Sequence, residues 1–276
     1  AQAPELKGHG GPVRAVIVQS DRRTVVTAGF DSAIIIWDTA AGTARRVLRF
    51  HDTAVTALAS VDADCFLSGG EDTRIALWCG DAAEPRRIFP GHQGPVAAIA
   101  VAPDGKSFAS ASWDRQARLW PLDGSAATRV IEGHNGPING VAFSRDGQSV
   151  VTAGYDGQVR LTPLDPARAA IGLQVETPVN AVVAAPDGGF LTAGADGRIR
   201  VLGPRLEPGG EIQLGAGPLT TIVLSSDGLT AATAGLRTAV TLIDVRQVAA
   251  VGDRARTAGA DQQPGGRFDR LLRGAE

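Results

Sequence analysis

The sequence has no methionine, only two cysteines, few aromatic residues (5%) and almost no net charge (−2). It also lacks any apolar run near the roughly 20 residues that a transmembrane helix needs. The small net charge gives no general electrostatic attraction to nucleic acid or to an anionic membrane. We therefore expect no nucleic-acid partner and no membrane span.

Methionine is missing even from position 1, and the chain opens with Ala1-Gln2-Ala3-Pro4. Ala-x-Ala is the small-residue pattern found around signal-peptidase sites. Lysine occurs only at Lys7 and Lys106 among many arginines, and alanine is abundant, which is typical of a GC-rich bacterial genome. We expect an exported, periplasmic bacterial protein whose signal peptide has been removed. A cytoplasmic protein that has lost its initiator methionine is the alternative.

The chain is rich in glycine (35) and proline (16), with 43% hydrophobic residues. This composition is typical of a globular protein made of short strands and turns. Its histidines lie at regular intervals of 41 or 42 residues: His9, His51, His92 and His134. Repeat periods of 40–45 residues indicate propellers or repeat arrays.

Six segments can be aligned on these histidines, with units starting near residues 8, 50, 91, 133, 174 and 214. The first halves read GHGGPVRAV, FHDTAVTAL, GHQGPVAAI, GHNGPINGV, QVETPVNAV and LGAGPLTTI. The second halves read TAGFDSAIIIWD, SGGEDTRIALWC, SASWDRQARLWP, TAGYDGQVRLTP, TAGADGRIRVLG and TAGLRTAVTLID. Each unit alternates apolar and polar residues between turn signals such as PDG, which predicts four short antiparallel strands.

These units resemble the WD-repeat β-propellers, with Gly-His near the start of a unit and Trp-Asp near its end. The resemblance covers about residues 5–245. It implies an all-β propeller of six recognisable four-stranded blades in a single domain, 1–245. Bacterial exported proteins of this type include relatives joined to c-type cytochromes.

The resemblance also implies a structural hydrogen-bond network of four side chains in each blade. In this sequence the network positions are His9, Thr27, Asp31 and Trp37; His51, Ser68, Asp72 and Trp78; His92, Ser110, Asp114 and Trp120; and His134, Thr152 and Asp156. Blade 4 has Thr162 in place of the tryptophan. Blade 5 has Val175 and Leu202, and blade 6 has Gly215, Arg237 and Ile243, at positions that should carry network residues.

This assignment argues against catalysis, because all four histidines occupy one structural position and none remains as a general base or metal ligand. The chain also has no phosphate-binding GxxxxGK[ST] loop and no CxxCH haem site. We predict no catalytic residue, no metal and no cofactor.

Cys65 and Cys79 lie in adjacent predicted strands of blade 2 and point away from the network by strand alternation. A disulfide and two free, half-buried thiols are equally compatible with this placement.

The two ends of the chain bear on how the ring closes. By the resemblance, the N-terminal stretch PELKG could add the last strand of blade 6 and close six blades. A seventh blade missing from the chain or supplied in trans is the alternative. Residues 246–276 are too few for another blade, and we expect them to form a loose tail or a short helix.

The resemblance places partner binding on the narrow face of the propeller. One set of positions directly precedes the network aspartate: Phe30, Glu71, Trp113, Tyr155, Ala195 and Leu236. A second set lies five residues after the histidine: Arg14, Thr56, Ala97, Asn139, Asn180 and Thr220. Exposed aromatic residues on one face indicate a binding surface; packing of each ring over a neighbouring loop is the alternative.

Three functions fit this sequence. The leading hypothesis is a non-catalytic scaffold that binds a protein partner through the aromatic narrow face. The second is an accessory subunit of a c-type cytochrome or another redox complex. The third is a propeller enzyme or small-ligand binder.

Overall fold

The computed structural model describes residues 5–215, 217–225, 227–235 and 240–245. They form 23 strands in six antiparallel sheets, each built from strands consecutive in the chain. We number the sheets as blades 1 to 6. Blade 1 contains β1 (Val13–Val18), β2 (Thr24–Gly29), β3 (Ala33–Asp38) and β4 (Thr43–Arg49). Blade 2 contains β5 (Val55–Ser60), β6 (Cys65–Gly70), β7 (Ile75–Cys79) and β8 (Arg87–Phe89).

The remaining four blades follow the same order. Blade 3 contains β9 (Val96–Val101), β10 (Ser107–Ser112), β11 (Ala117–Pro121) and β12 (Arg129–Ile131). Blade 4 contains β13 (Ile138–Phe143), β14 (Ser149–Gly154), β15 (Gln158–Pro163) and β16 (Ile171–Gln174). Blade 5 contains β17 (Val179–Ala184), β18 (Phe190–Gly194), β19 (Arg198–Leu202) and β20 (Pro208–Gln213). Blade 6 contains β21 (Leu219–Leu224), β22 (Thr230–Gly235) and β23 (Val240–Asp244). The fold is the predicted six-bladed β-propeller.

The blades are held together by apolar cores between consecutive sheets. Ile34 and Ile36 of blade 1 lie in one core with Val55, Phe66 and Trp78 of blade 2. Four further cores join blades 2–3, 3–4, 4–5 and 5–6. Burial of these residues is the main favourable term in the fold, at about 25 cal/mol per Å² of apolar surface. Within the described residues, no such core joins blade 6 to blade 1.

Blade 6 has three strands among the described residues, and the N-terminal strand predicted for it is not one of them. Residues 5–8 lie in no strand. Gly8 lies against the Trp37 ring of blade 1: a Cβ atom there would be 2.9 Å from the indole Cη2 atom. Gly8 therefore lies beside blade 1. The predicted tail, 246–276, lies outside the described residues, and no helix within them is long and apolar enough to cross a bilayer.

A disulfide joins Cys65 and Cys79, which face each other across β6 and β7 with their Cα atoms 4.2 Å apart. The bond closes the turn between two neighbouring strands of blade 2, at a sequence separation of 14 residues. Cross-linking a loop of about this length stabilises a protein by roughly 2–4 kcal/mol, mainly by restricting the unfolded chain.

We predict that reduction of this bond lowers the free energy of unfolding by about 2–4 kcal/mol. Denaturant titrations with and without reductant would measure the change. The variant with Cys65→Ser and Cys79→Ser serves as the control, because its stability should not respond to reductant. Equal stability of the oxidised and reduced wild-type protein would contradict the prediction.

Candidate functional site

Blade 3 shows the hydrogen-bond network at full length. The indole Nε1–H of Trp120 donates to the Ser110 hydroxyl oxygen at 2.8 Å. The Ser110 oxygen lies 2.7 Å from His92 Nε2, and His92 Nδ1 lies 2.7 Å from Asp114 Oδ2. A neutral imidazole protonated on Nδ1 satisfies every group, since it donates to the carboxylate and accepts from the serine hydroxyl. The chain of bonds thus runs from the blade core to its surface turn.

Three other blades contain the same imidazole contacts. The hydroxyl–imidazole–carboxylate sets are Thr27–His9–Asp31 in blade 1, Ser68–His51–Asp72 in blade 2 and Thr152–His134–Asp156 in blade 4. Trp37 and Trp78 complete the sets of blades 1 and 2. The imidazole side chains are almost fully buried. These side chains therefore have structural partners in the network.

The network aspartate holds two loops together. Asp114 accepts from the backbone N–H of Gln116, within its own turn, at 2.9 Å and from that of Gln93, after the histidine, at 3.0 Å. Arg115, which lies between Asp114 and Gln116 in the turn, adopts a left-handed φ of 71°. Asp31, Asp72 and Asp156 make the equivalent pairs of bonds. Each carboxylate thus satisfies turn N–H groups that have no ladder partner.

The environment keeps these carboxylates ionised. Burial alone would raise the pKa of Asp72, but hydrogen bonds from His51 and Arg74 outweigh it and lower the pKa to about 2. The same balance, with imidazole and backbone N–H donors, lowers the pKa values of Asp31, Asp114 and Asp156.

The imidazoles of His92 and His134 are held neutral. Burial lowers the pKa of His92 and of His134, and this effect outweighs the neighbouring carboxylates, which raise it. A second proton on His92 would also remove the acceptor of the Ser110 hydroxyl. Such histidines are poorly suited to exchange protons with a substrate.

The network is incomplete in blades 5 and 6. In blade 5 the Thr192 hydroxyl is buried and has no hydrogen-bond partner, because Val175 occupies the histidine position. Asp196 pairs instead with Arg200, whose hydrogen bond lowers the Asp196 pKa against the raising effect of burial. In blade 6 the Thr233 hydroxyl donates to the backbone oxygen of Thr221 at 2.7 Å. Arg237 lies outside the described residues.

The turns that carry these aspartates also present three exposed aromatic residues. Phe30, Trp113 and Tyr155 directly precede the network aspartates of blades 1, 3 and 4, and their exposed fractions are 54%, 53% and 63%. Glu71 is exposed at the same position of blade 2, and Ala195 is half-buried in blade 5. Leu236 lies outside the described residues. We keep the name narrow face for the end of the ring formed by these turns and by the histidine loops.

The backbone of each turn is fixed to the histidine loop of its own blade. The N–H groups of Phe30, Glu71, Trp113, Tyr155 and Ala195 donate to the backbone oxygens of Pro12, Ala54, Pro95, Pro137 and Pro178 at 2.8–3.0 Å. The aromatic side chains therefore project from turns that are held on both sides.

The second predicted set occupies a β-bulge near the start of each first strand. The bulge residues are Arg14, Thr56, Ala97, Asn139, Asn180 and Thr220. Three of them donate to a backbone oxygen of the following blade: Thr56 to Val96 at 2.5 Å, Asn139 to Val179 at 3.4 Å and Asn180 to Leu219 at 2.7 Å. A bulge redirects its side chain, here toward the neighbouring blade. Asn139 and Asn180 are half-buried as a result, whereas Arg14 is exposed.

A groove that the sequence analysis did not identify lies at the opposite end of the ring, between blades 4 and 5. Its volume is about 990 Å³, and exposed Arg145, Arg168 and Arg205 line it with Asp146 and Asp187. These residues come from two kinds of loop, so the spacing within one repeat does not connect them. Across the described residues, no three His, Cys, Asp or Glu side chains are grouped to hold a metal ion.

We predict opposite effects for one substitution at two equivalent threonines. Thr152→Val removes the hydroxyl bonded to His134 and should lower the free energy of unfolding by about 1–3 kcal/mol. Thr192→Val is the matched control and should be neutral or stabilising, because its buried hydroxyl has no partner. Urea denaturation of both variants measures the difference. Equal costs at the two sites would contradict a stabilising role of the network.

We also predict that acid destabilises the protein in two steps. His92 and His134 have lower pKa values when folded, so stability falls as the pH drops below 6.5, the ordinary value. The network aspartates lose their contribution below 3.8, down to about 2 for Asp72. Denaturant titrations between pH 8 and pH 2 measure both steps. His134→Gln should reduce the upper step, and a flat profile between pH 7 and pH 5 would contradict the histidine contribution.

Comparison with known protein families agrees with this architecture. The family described as WD domain, G-beta repeat (WD40) matches residues 2–38, 42–79, 83–121, 126–162 and 173–201, which together make up more than half of the chain. The sixth unit is not matched, although it forms a sheet with the same strand order. No curated protein matches the sequence. The chain belongs to the WD40 repeat family, whose members are typically non-catalytic scaffolds for protein interaction.

Proposed function

We propose that this protein is a non-catalytic scaffold that binds a protein partner through its narrow face. The observation that carries the proposal is the exposure of Phe30, Trp113 and Tyr155 at one repeated turn position. Turn positions normally carry small polar residues. An aromatic ring exposed at a turn gains the free energy of removing its apolar surface from water when a partner covers it. Aromatic residues of this kind dominate the binding energy of protein interfaces.

The rigidity of the turns supports the same proposal. Each aromatic residue is followed by an aspartate that bonds its own turn and the histidine loop, as Asp114 does for Trp113. The backbone N–H of Trp113 is also bonded, to Pro95 at 3.0 Å. Binding then requires little ordering of the backbone, which reduces the entropy cost of association.

The polar residues around the rings define the chemistry of the partner. Exposed Glu71 occupies the turn of blade 2, between those of Phe30 and Trp113. A matching partner offers apolar pockets for the rings and a basic group opposite Glu71. Asn139 and Asn180 contribute indirectly, because their amides bond to neighbouring blades.

We propose a periplasmic location for this interaction. The Cys65–Cys79 disulfide supports an oxidising compartment. A c-type cytochrome or another redox protein is one class of partner that such a scaffold could hold.

The test is affinity capture from a periplasmic extract, followed by mass spectrometry. The baits are the wild-type chain and a variant with Phe30→Ser, Trp113→Ser and Tyr155→Ser. Each lost anchor should cost about 1–2 kcal/mol, so we predict at least a hundredfold weaker binding of the specific partner. Binding constants for the purified partner give the quantitative comparison.

A matched control removes three apolar side chains from elsewhere on the surface. Val47, Ile88 and Val130 are exposed at equivalent positions of the outer strands β4, β8 and β12. The variant with all three changed to serine should retain the partner. Equal binding by all three baits would reject the narrow face, and a haem protein among the retained partners would support the redox role.

A further inference from the structure

The described residues leave two apolar flanks uncovered, one on each side of the seam between blade 1 and blade 6. The first strands of consecutive blades lie side by side: β1, β5, β9, β13, β17 and β21. Between the described residues of β21 and β1 there is no comparable extended contact. The first flank belongs to β1 and consists of Val13, Val16 and Val18. The second belongs to blade 6 and consists of Val223, Val240 and Leu242.

Val13 shows what the first flank lacks. It is 48% exposed, whereas its equivalents in the other five blades are at most 9% exposed: Val55, Val96, Ile138, Val179 and Leu219. Those five residues are covered by the preceding blade, as Val55 is by the core that contains Ile34. Val16 and Val18 are also exposed, although their blade 3 equivalents, Ile99 and Val101, pack into the core with blade 2.

The second flank shows the complementary loss. Val240 and Leu242 are 65% and 70% exposed, whereas Ile34 and Ile36, at the same positions of blade 1, are buried against blade 2. Val223 is likewise exposed, while its equivalent in blade 5, Val183, packs into the core with blade 6. Blade 6 therefore presents the face that normally receives the next first strand.

We propose that the second flank of one copy of this protein binds the first flank of a second copy. The chain already makes this type of contact five times between its own blades. The pairing would place Val13 of one copy opposite Val240 of another, as Val55 is placed in one core with Ile34. All six flank residues are apolar, which fits an occupant with an apolar sheet face. The first flank of a second copy is such a face. Its Val13 occupies the position that Val55, Val96 and Val179 occupy in other blades.

This interface is heterologous, because it joins two different surfaces. Each pairing leaves one flank free at either end, so copies can add to one another until a ring closes. Self-association should therefore depend on protein concentration and extend beyond the dimer.

The heterologous geometry gives a sharp test with Val13→Glu and Leu242→Glu, two variants of exposed residues. Each variant alone has one damaged flank and should sediment as a monomer at concentrations where the wild type associates. An equimolar mixture of the two should form a 1:1 complex and nothing larger, because only one intact pair of flanks is present. Analytical ultracentrifugation measures all four samples.

Val130→Glu, on the exposed outer strand β12, is the matched control and should associate like the wild type. Circular dichroism and thermal melting establish that every variant is folded. Wild-type protein that stays monomeric up to about 100 μM would overturn the proposal, as would a mixture that remains monomeric or a Val13→Glu variant that still associates with itself.

Discussion

The contact between a buried imidazole and a turn carboxylate is the interaction on which each of the first four blades depends. It joins the blade core to the turn and the preceding loop, which otherwise leave N–H groups without partners. Because His92 stays neutral, it can donate to Asp114 and accept from Ser110 at the same time. The carboxylate then fixes the backbone from which Trp113 projects. The polar network thus supports the exposed surface.

Apolar contacts between blades have a separate role, since they place the blades relative to one another. Blades 5 and 6 lack the imidazole network, yet Ile199, Leu219 and Ile222 still form a core between them. Loss of polar partners in a blade is therefore tolerated while its faces stay apolar. The fold depends on the apolar residues between blades, whereas the position of the surface turns depends on the polar network. Blades 5 and 6 can therefore lack the network and still keep the fold.

The repeat spacing predicted the blades, because the units recur at fixed intervals in an alternating strand pattern. The network positions came from the resemblance to the WD-repeat family, carried onto the histidines and aspartates that recur in these units. Other features depend on contacts that no single repeat contains. Asn139 occupies a predicted binding position, but the bulge directs its amide to the next blade. Val13 has the same repeat position as buried Val55, and only the ring shows that it lacks a neighbour. Alternation placed Cys65 and Cys79 together without deciding whether they are bonded.

The bonds made by the bulge residues have a direction along the chain. Thr56 donates to Val96, Asn139 to Val179 and Asn180 to Leu219, so blades 2, 4 and 5 each reach toward the blade synthesised after them. During translation, the donor of a blade emerges from the ribosome about 40 residues before its acceptor. Each of these three blades can form its bulge bond only after the first strand of the next blade has been synthesised.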